Sequence, residues 1–323
     1  MKNGRNWFDP RVGKRPARLV GRDDVLRDIE AAFEDGDEDD RVMIITGIKG
    51  SGKTVILAEA REMIQRNENN TSLRATEESA AIHRPEVLII DDAAKDVPGL
   101  KEQLIEYGSL AQRGEAPMML IAGQTHAVEE LLKDEDLAYL KQARRLTLGN
   151  VRGDEVFALY KRAFEETYAG DTARGGKDSA LKALRRAAEA TEGHPYLIQL
   201  VGYYLSKEEK GIDDKAVDKA VFLAKIELYK NVHEPLFWGL SSKDRVFLWA
   251  MAQDEAVSEF GEIARRMGVS TGYASKYRER LLGAGLIYRS AYGELAFTLP
   301  YMKEYIEKEY IERLGGEGGK RRL

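Results

Sequence analysis

Residues 42–58 read Val42-Met43-Ile44-Ile45-Thr46-Gly47-Ile48-Lys49-Gly50-Ser51-Gly52-Lys53-Thr54-Val55-Ile56-Leu57-Ala58. A short apolar run, Val42–Thr46, ends at a glycine, and an amphipathic stretch follows. The eight residues Gly47–Thr54 match G-x-x-x-x-G-K-[ST] in full, in the strand–turn–helix context that the pattern needs. A triphosphate requires many donors close together and no side chains in the way. Glycines let the backbone curl so that consecutive N–H groups point inward. The helix that follows adds the positive end of its dipole. The spacing therefore predicts a phosphate cradle formed by Gly47, Ile48, Lys49, Gly50, Ser51, Gly52, Lys53, Thr54 and Val55. Lys53 supplies a mobile cation for the β and γ phosphates, and the Thr54 hydroxyl is a ligand for Mg²⁺.

A partner for this loop lies downstream. Val87-Leu88-Ile89-Ile90-Asp91-Asp92 is a buried-strand pattern with two carboxylates at its C-terminal end, where open parallel sheets bind ligands. Asp91 is expected to hold Mg²⁺, directly or through water, and Asp92 to orient or deprotonate the attacking water. Met118–Ala122 and Arg145–Leu148 read as two further strands. Amphipathic stretches separate them; Leu100, Leu104, Ile105, Leu110 and Ala111 lie near helical spacing. Alternating strands and helices predict a parallel α/β sheet over 1–150.

The rest of the chain changes character. From 151 to 232 the pattern is helical only, with Val156, Leu159 and Tyr160, then Leu181, Leu184 and Ala187–Ala188, then Tyr196–Leu205. A third unit, 233–323, has Phe260–Met267 and Thr271–Leu282 as a helix-turn-helix around Gly268. Leu286–Tyr288 and Glu294–Leu299 then read as a hairpin that turns near Ala291-Tyr292-Gly293. The acidic run 34–40 reads as a solvated linker, and the Gly-rich basic tail 315–323 as frayed.

Bulk composition narrows the partners. The chain has 323 residues and is 43% hydrophobic, enough for two or three cores. A net charge of −5 excludes a basic nucleic-acid coat, so any DNA contact must be local. The absence of cysteine excludes disulfides, Cys-ligated zinc and a thiol nucleophile. The four histidines, His83, His126, His194 and His233, lack metal-ligand spacing. No apolar stretch approaches a membrane span and no secretory h-region follows Met1, so a cytoplasmic location without membrane contact is expected.

With these motifs in place, residues 18–300 resemble the AAA+/STAND branch of P-loop ATPases, and most of all bacterial and archaeal members related to the origin-recognition initiators. Leu19-Val20-Gly21-Arg22-Asp23-Asp24-Val25-Leu26 is similar to the family's h-h-G-R-E-x-E-L box, with Asp23 in place of the first Glu. The resemblance implies that Val20, Gly21 and Arg22 lie near the adenine of ATP or ADP. It places Asp91-Asp92 as the two-acid strand end, and Gln124 or Thr125, in Gly123-Gln124-Thr125, as the polar sensor of the γ-phosphate. Gly193-His194-Pro195 resembles the G-x-P motif of STAND lids, so His194 and Pro195 would lie against nucleotide. Arg144 and Arg145 occupy the region of an arginine finger, with Arg145 as the candidate catalytic group of a nucleotide-dependent homo-oligomer; a solvated helix end is the alternative reading, so oligomer-dependent hydrolysis stays open. The implied fold is an AAA+-like sheet followed by a helical lid and a C-terminal winged helix-turn-helix. One departure stands out. Only 36 residues, 55 to 90, separate Thr54 from Asp91, and Arg66–His83 shows no clear strand. Either an edge strand is lost or residues are missing from that segment, and the second explanation is preferred.

The C-terminal unit carries a local charge excess. Between 262 and 290, six Lys and Arg face Glu262 and Glu279, a net of +4. Ile263, Ala264, Met267, Val269, Ala274, Tyr277 and Leu281 are the expected core of this unit. Arg266, Tyr273, Lys276, Arg280 and Arg289 are the expected contacts to double-stranded DNA. The expected function is an ATP-binding, slowly hydrolysing protein whose nucleotide state controls a DNA-binding module. Two alternatives stand beside it: a signalling switch whose winged helix binds a protein partner or autoinhibits, and an ADP-holding scaffold with negligible turnover.

Overall fold

The computed structural model describes residues 7–11, 14–35, 41–72, 87–167, 176–208 and 211–309. Most of the acidic run 34–40, most of Arg66–His83 and the tail lie outside these residues; Glu34 and Asp35 belong to a helix. The chain divides into two compact units: Arg11–Asn150, and Val151–Leu323 together with Met1–Pro10.

The first unit is a three-layer α/β/α body. Helix α1 (Asp23–Asp35) precedes strand β1 (Val42–Gly47) and helix α2 (Lys53–Ser72). Strand β2 (Val87–Ile90), helix α3 (Leu100–Gln112) and strand β3 (Met118–Gly123) follow. Helix α4 (Thr125–Leu131), a 3₁₀ segment (Glu135–Gln142) and strand β4 (Arg144–Leu148) complete it. The strands form a four-stranded parallel sheet in the order β2-β3-β1-β4. Consecutive strand residues face opposite layers. Met43, Ile45, Met118, Leu120 and Ala122 pack with α1 and α2, whereas Ile44, Met119 and Ile121 pack with α3, α4 and the 3₁₀ segment. Apolar residues on both faces explain why β1 and β3 read as unbroken hydrophobic runs. Full burial of one such Ile or Leu stabilises the fold by about 1.5–3 kcal/mol.

Two sequence expectations shift here. Ile105 and Ala111 of α3 are exposed, and Tyr107 takes the inward position instead, donating its hydroxyl to Pro117 O at 2.7 Å. The sequence is continuous through 73–86, so the short spacing between Thr54 and Asp91 belongs to the chain and no residues are missing. Among the described residues β2 is the edge strand on that side.

Among the described residues, the second unit is helical apart from one small sheet. Helices α5 (Gly153–Thr167), α6 (Lys177–Glu189), α7 (Pro195–Ser206) and α8 (Asp214–Leu228) pack around Tyr160, Leu184, Leu197, Val201 and Ala220. Phe8 joins this core; its ring meets Tyr160 edge-on at 5.5 Å and occupies the space that a Cβ on Gly202 would need. That contact explains why Met1–Pro10 clusters with this unit. After α8 comes a π-helical turn (Tyr229–His233), then α9 (Glu234–Gly239) and α10 (Ser242–Ala252). Strand β5 (Ser258–Glu259), helices α11 (Phe260–Arg266) and α12 (Thr271–Gly283), strands β6 (Ile287–Ala291) and β7 (Glu294–Phe297), and helix α13 (Met302–Glu309) close the chain. The three strands pair antiparallel in the order β5-β7-β6. The sequence patterns missed β5, a two-residue strand too short for any period.

The π-helical turn spans the expected boundary between 232 and 233. His233 there is fully buried. Its Nδ1 lies 3.2 Å from Leu228 O and its Nε2 2.8 Å from Pro300 O. A neutral imidazole donates from only one nitrogen. Burial lowers the proton affinity of His233 below its usual 6.5, against the smaller opposing pull of the two carbonyls. The unfolded chain thus binds the proton more readily than the native one. Stability of this unit is expected to be flat above about pH 6.5 and to fall as the pH drops below it. Denaturant unfolding from pH 8 to 5 tests this; His233→Gln should remove much of the acid-side slope.

Candidate functional site

The loop after β1 is shaped by its glycines. Gly50 and Gly52 have φ of 83° and 95°, where a side chain is strained. Gly47 closes the strand so tightly that a Cβ would lie 2.5 Å from Ser51 Oγ. Ser51 N donates to Ile48 O at 3.2 Å, and Ile56 N to Gly52 O at 3.0 Å, which starts α2 directly behind the loop. Lys53 is 9% exposed and folds over the loop, with Nζ donating to Gly47 O at 2.9 Å and Ile48 O at 3.0 Å. Burial lowers its proton affinity, and the charges of Asp92 and Asp91 oppose that shift. Both carboxylates therefore act on the lysine that the sequence pairs with them. Thr54 is exposed at the helix start, and Ile48, Lys49 and Val55 are half-buried around it.

Asp91 and Asp92 emerge from β2, both exposed. Asp91 Oδ1 accepts from Asp92 N at 2.9 Å. Asp92 adopts φ 55°, a left-handed conformation that aspartate tolerates better than most residues and that a tight turn imposes. Ala93 N then donates to Ala122 O at 2.8 Å, fastening the turn to β3. Where β3 ends, a Cβ on Gly123 would lie 2.6 Å from Ala93 O. Gln124 follows as the N-terminal cap of α4; it is half-buried and its side chain makes no cap bond. A hydroxyl, a carboxylate and phosphate oxygens are the hard ligands that Mg²⁺ prefers, so Thr54 and Asp91 suit that ion in chemistry.

Other expected residues are placed differently. Val20 and Gly21 are half-buried, and Gly21 has φ 64°. Arg22 is 7% exposed, and its guanidinium is directed at backbone carbonyls. Arg144 and Arg145 both lie inside β4, which starts one residue earlier than the expected Arg145. Arg144 pairs with Asp28 at 2.8 Å; Arg145 is exposed and pairs with Glu129 at 3.2 Å. Arg145 registers with Ile44, three positions back from the Gly47–Leu148 pair at the loop end of the sheet. In the second unit, His194 is buried and caps α7, and Pro195 is its first residue. Gly193 has φ 71°, and a Cβ there would approach Val151 O to 2.0 Å. Val151 N donates to Gly193 O at 2.7 Å.

The face of α12 carries fewer available charges than its sequence window suggests. Arg266 makes a two-pronged pair with Asp254 at 2.6 and 2.7 Å. Arg280 grips the buried Asp244 with its Nε at 3.0 Å and Nη2 at 2.5 Å. Arg289 reaches Glu279 at 3.2 Å. Asp244 and Asp254 lie outside the window 262–290, and over 242–309 ten Lys and Arg balance ten Asp and Glu. Lys276 sits over the Tyr273 ring at 4.2 Å and the Tyr277 ring at 4.9 Å. Tyr273, Tyr288 and the fully exposed Tyr292 are large side chains left at the surface.

Comparison with known proteins adds the following. A family model described as a domain of unknown function (DUF8462) matches residues 230–306. No curated protein matches the chain. Among solved structures, a Walker-type ATPase of Pyrococcus abyssi aligns with a TM-score of 0.69 at 14% identity, covering 93% of this chain and 99% of its own. The ORC2 protein of Aeropyrum pernix, in ADPNP–ADP complexes, aligns with a TM-score of 0.63 at 13% identity, covering 95% and 97%. At these identities the likeness is one of fold. Among the described residues, no helix is long and apolar enough to cross a membrane.

At Gly123 the close approach predicts a stability effect: Gly123→Ala should force Ala93 O aside and destabilise the fold by about 1–3 kcal/mol. Gly149→Ala, where a Cβ meets nothing within 4 Å, should stay near the parent value. Denaturant unfolding compares the two.

Proposed function

The chain has the fold of AAA+ ATPases related to the origin-recognition initiators, and from that premise we propose that it binds ATP and hydrolyses it slowly. The observation that carries this reading is Lys53: a buried ammonium over a glycine turn, within the influence of two carboxylates. Its two carbonyl partners are weak holders of a cation compared with phosphate oxygens. Binding of a triphosphate would draw Nζ from Gly47 O and Ile48 O toward the β and γ phosphates. Amide donors of the turn and the start of α2 would cradle the same oxygens. Mg²⁺, held by Thr54 and Asp91, would neutralise phosphate charge. Asp92 would accept the proton of the attacking water, and Gln124, its amide not used as a cap, would report the γ-phosphate. Val20 and Gly21 are proposed to lie near the base. Arg145, exposed on an edge strand, is the group that a homo-oligomer would offer to a neighbouring site.

Helices α10–α12 and strands β5–β7 are read as a winged helix whose state follows the nucleotide. Two readings of its partner compete, duplex DNA and another protein. The internal pairing of Arg266, Arg280 and Arg289 and the neutral total charge favour the protein. A duplex needs cations that can release counterions from phosphates. Tyrosines at the surface are typical anchors of protein interfaces.

Calorimetric titration tests the nucleotide reading. ADP and ATP should bind the parent, and Lys53→Ala should weaken ATP by at least about thirtyfold. Asp92→Asn should retain binding and lose about a hundredfold or more in turnover. If neither nucleotide gives heat with the parent, the reading fails.

A duplex titration from 25 to 200 mM salt separates the partners. The ion-paired face predicts weak binding with a shallow salt slope, unchanged by Lys276→Ala. Tight binding with a slope steeper than about −4 would instead indicate several phosphate contacts and favour DNA.

A further inference from the structure

The family resemblance places Arg22 near the adenine, but its guanidinium serves three backbone carbonyls. Nη2 donates to Ser51 O at 3.1 Å and to Gly149 O at 2.7 Å, and Nη1 donates to Gly21 O at 3.1 Å. Ser51 stands within the phosphate loop; Gly149 follows β4, whose last residue, Leu148, registers with Gly47. Arg22 therefore joins the loop to the end of the neighbouring strand.

The position of the Ser51 contact gives it consequence. A trans peptide is planar, with its C=O and N–H pointing in opposite directions. The carbonyl of Ser51 shares a plane with the amide of Gly52. A guanidinium that holds Ser51 O on one side directs Gly52 N–H to the other. Gly52 has φ 95° and no side chain, so its peptide plane has unusual freedom to rotate. Charge-assisted hydrogen bonds from a nearly buried arginine are the stronger kind.

We propose that Arg22 is a positioning residue that locks the Ser51–Gly52 peptide with its amide toward bound phosphate, and that it does not read the base. The inference rests on the nucleotide reading above and refines it. A clamp of this kind acts on every ligand that carries a diphosphate, whatever its base. A base contact would act on adenine alone.

The experiment compares the parent, Arg22→Ala and Arg22→Lys in titrations with ADP, GDP and inorganic pyrophosphate. The clamp predicts that Arg22→Ala weakens all three by a common factor of about tenfold to thirtyfold, with the ADP-to-GDP ratio unchanged. Arg22→Lys, which reaches fewer carbonyls, should recover part of that loss. Phosphorus NMR of the saturated complexes adds a readout that loosened folding would not move: the β-phosphate resonance of bound ADP should shift in Arg22→Lys while the α-phosphate stays near its parent position. Should Arg22→Ala melt below the assay temperature, Arg22→Gln replaces it in the same comparison. A collapse of the ADP-to-GDP ratio with pyrophosphate unaffected overturns the inference in favour of a base contact. Parent-like affinities or unshifted β-phosphate resonances in the variants also overturn it. Failure of the parent to bind ADP at all strikes the nucleotide reading itself, a result distinct from the other two.

Discussion

Three carbonyl oxygens of the glycine-rich loop after β1 are held by cations, and the shape of the loop follows from that. Lys53 holds Gly47 O and Ile48 O, and Arg22 holds Ser51 O. A turn rich in glycine has many conformations of similar energy, and its carbonyls would repel a phosphate if they faced inward. Cations at the carbonyls leave the amides as the groups free to turn toward an anion. The two cations differ in kind. Lysine is a point charge on a flexible stem and can move to a better partner; arginine is a planar fork that keeps several acceptors at once. The mobile group is the one that the sequence assigns to the ligand, and the fixed group is the one that fastens the loop to the sheet.

Legibility in the sequence follows the range of each interaction. The loop was readable because its requirements are local: positive φ at Gly50 and Gly52, a strand before and a helix after. The β1 and β3 runs were readable because both faces are buried, so no periodicity had to be resolved. The register of α3 was not, since Ile105 and Tyr107 are both apolar enough for the core and only the tertiary partner Pro117 O decides between them. The charge balance around α11 and α12 is likewise set by tertiary partners, over a longer range. Asp244 neutralises Arg280 from 36 residues away, and Asp254 neutralises Arg266 from 12. A window drawn around a helix counts its own charges and misses those that folding brings to it.

The second unit constrains how nucleotide state could reach the C-terminal module. Helices α5–α8 and the elements from α10 to α13 belong to one compact unit. Their junction is bonded at several points. Tyr301, itself at φ 59°, donates to Ala190 O at 2.6 Å, and Lys225 pairs with Glu304 at 2.7 Å. His233 stands buried between Leu228 and Pro300. Breaking this junction would expose a buried histidine and the apolar surface around it, a cost of several kcal/mol on the usual scale for such groups. The γ-phosphate of ATP can shift an equilibrium only by its differential affinity for the two states, typically 1–3 kcal/mol between coupled sites. Under the proposed nucleotide reading, that is too little to separate α10–α13 from α5–α8, and α5–α13 should move as one body.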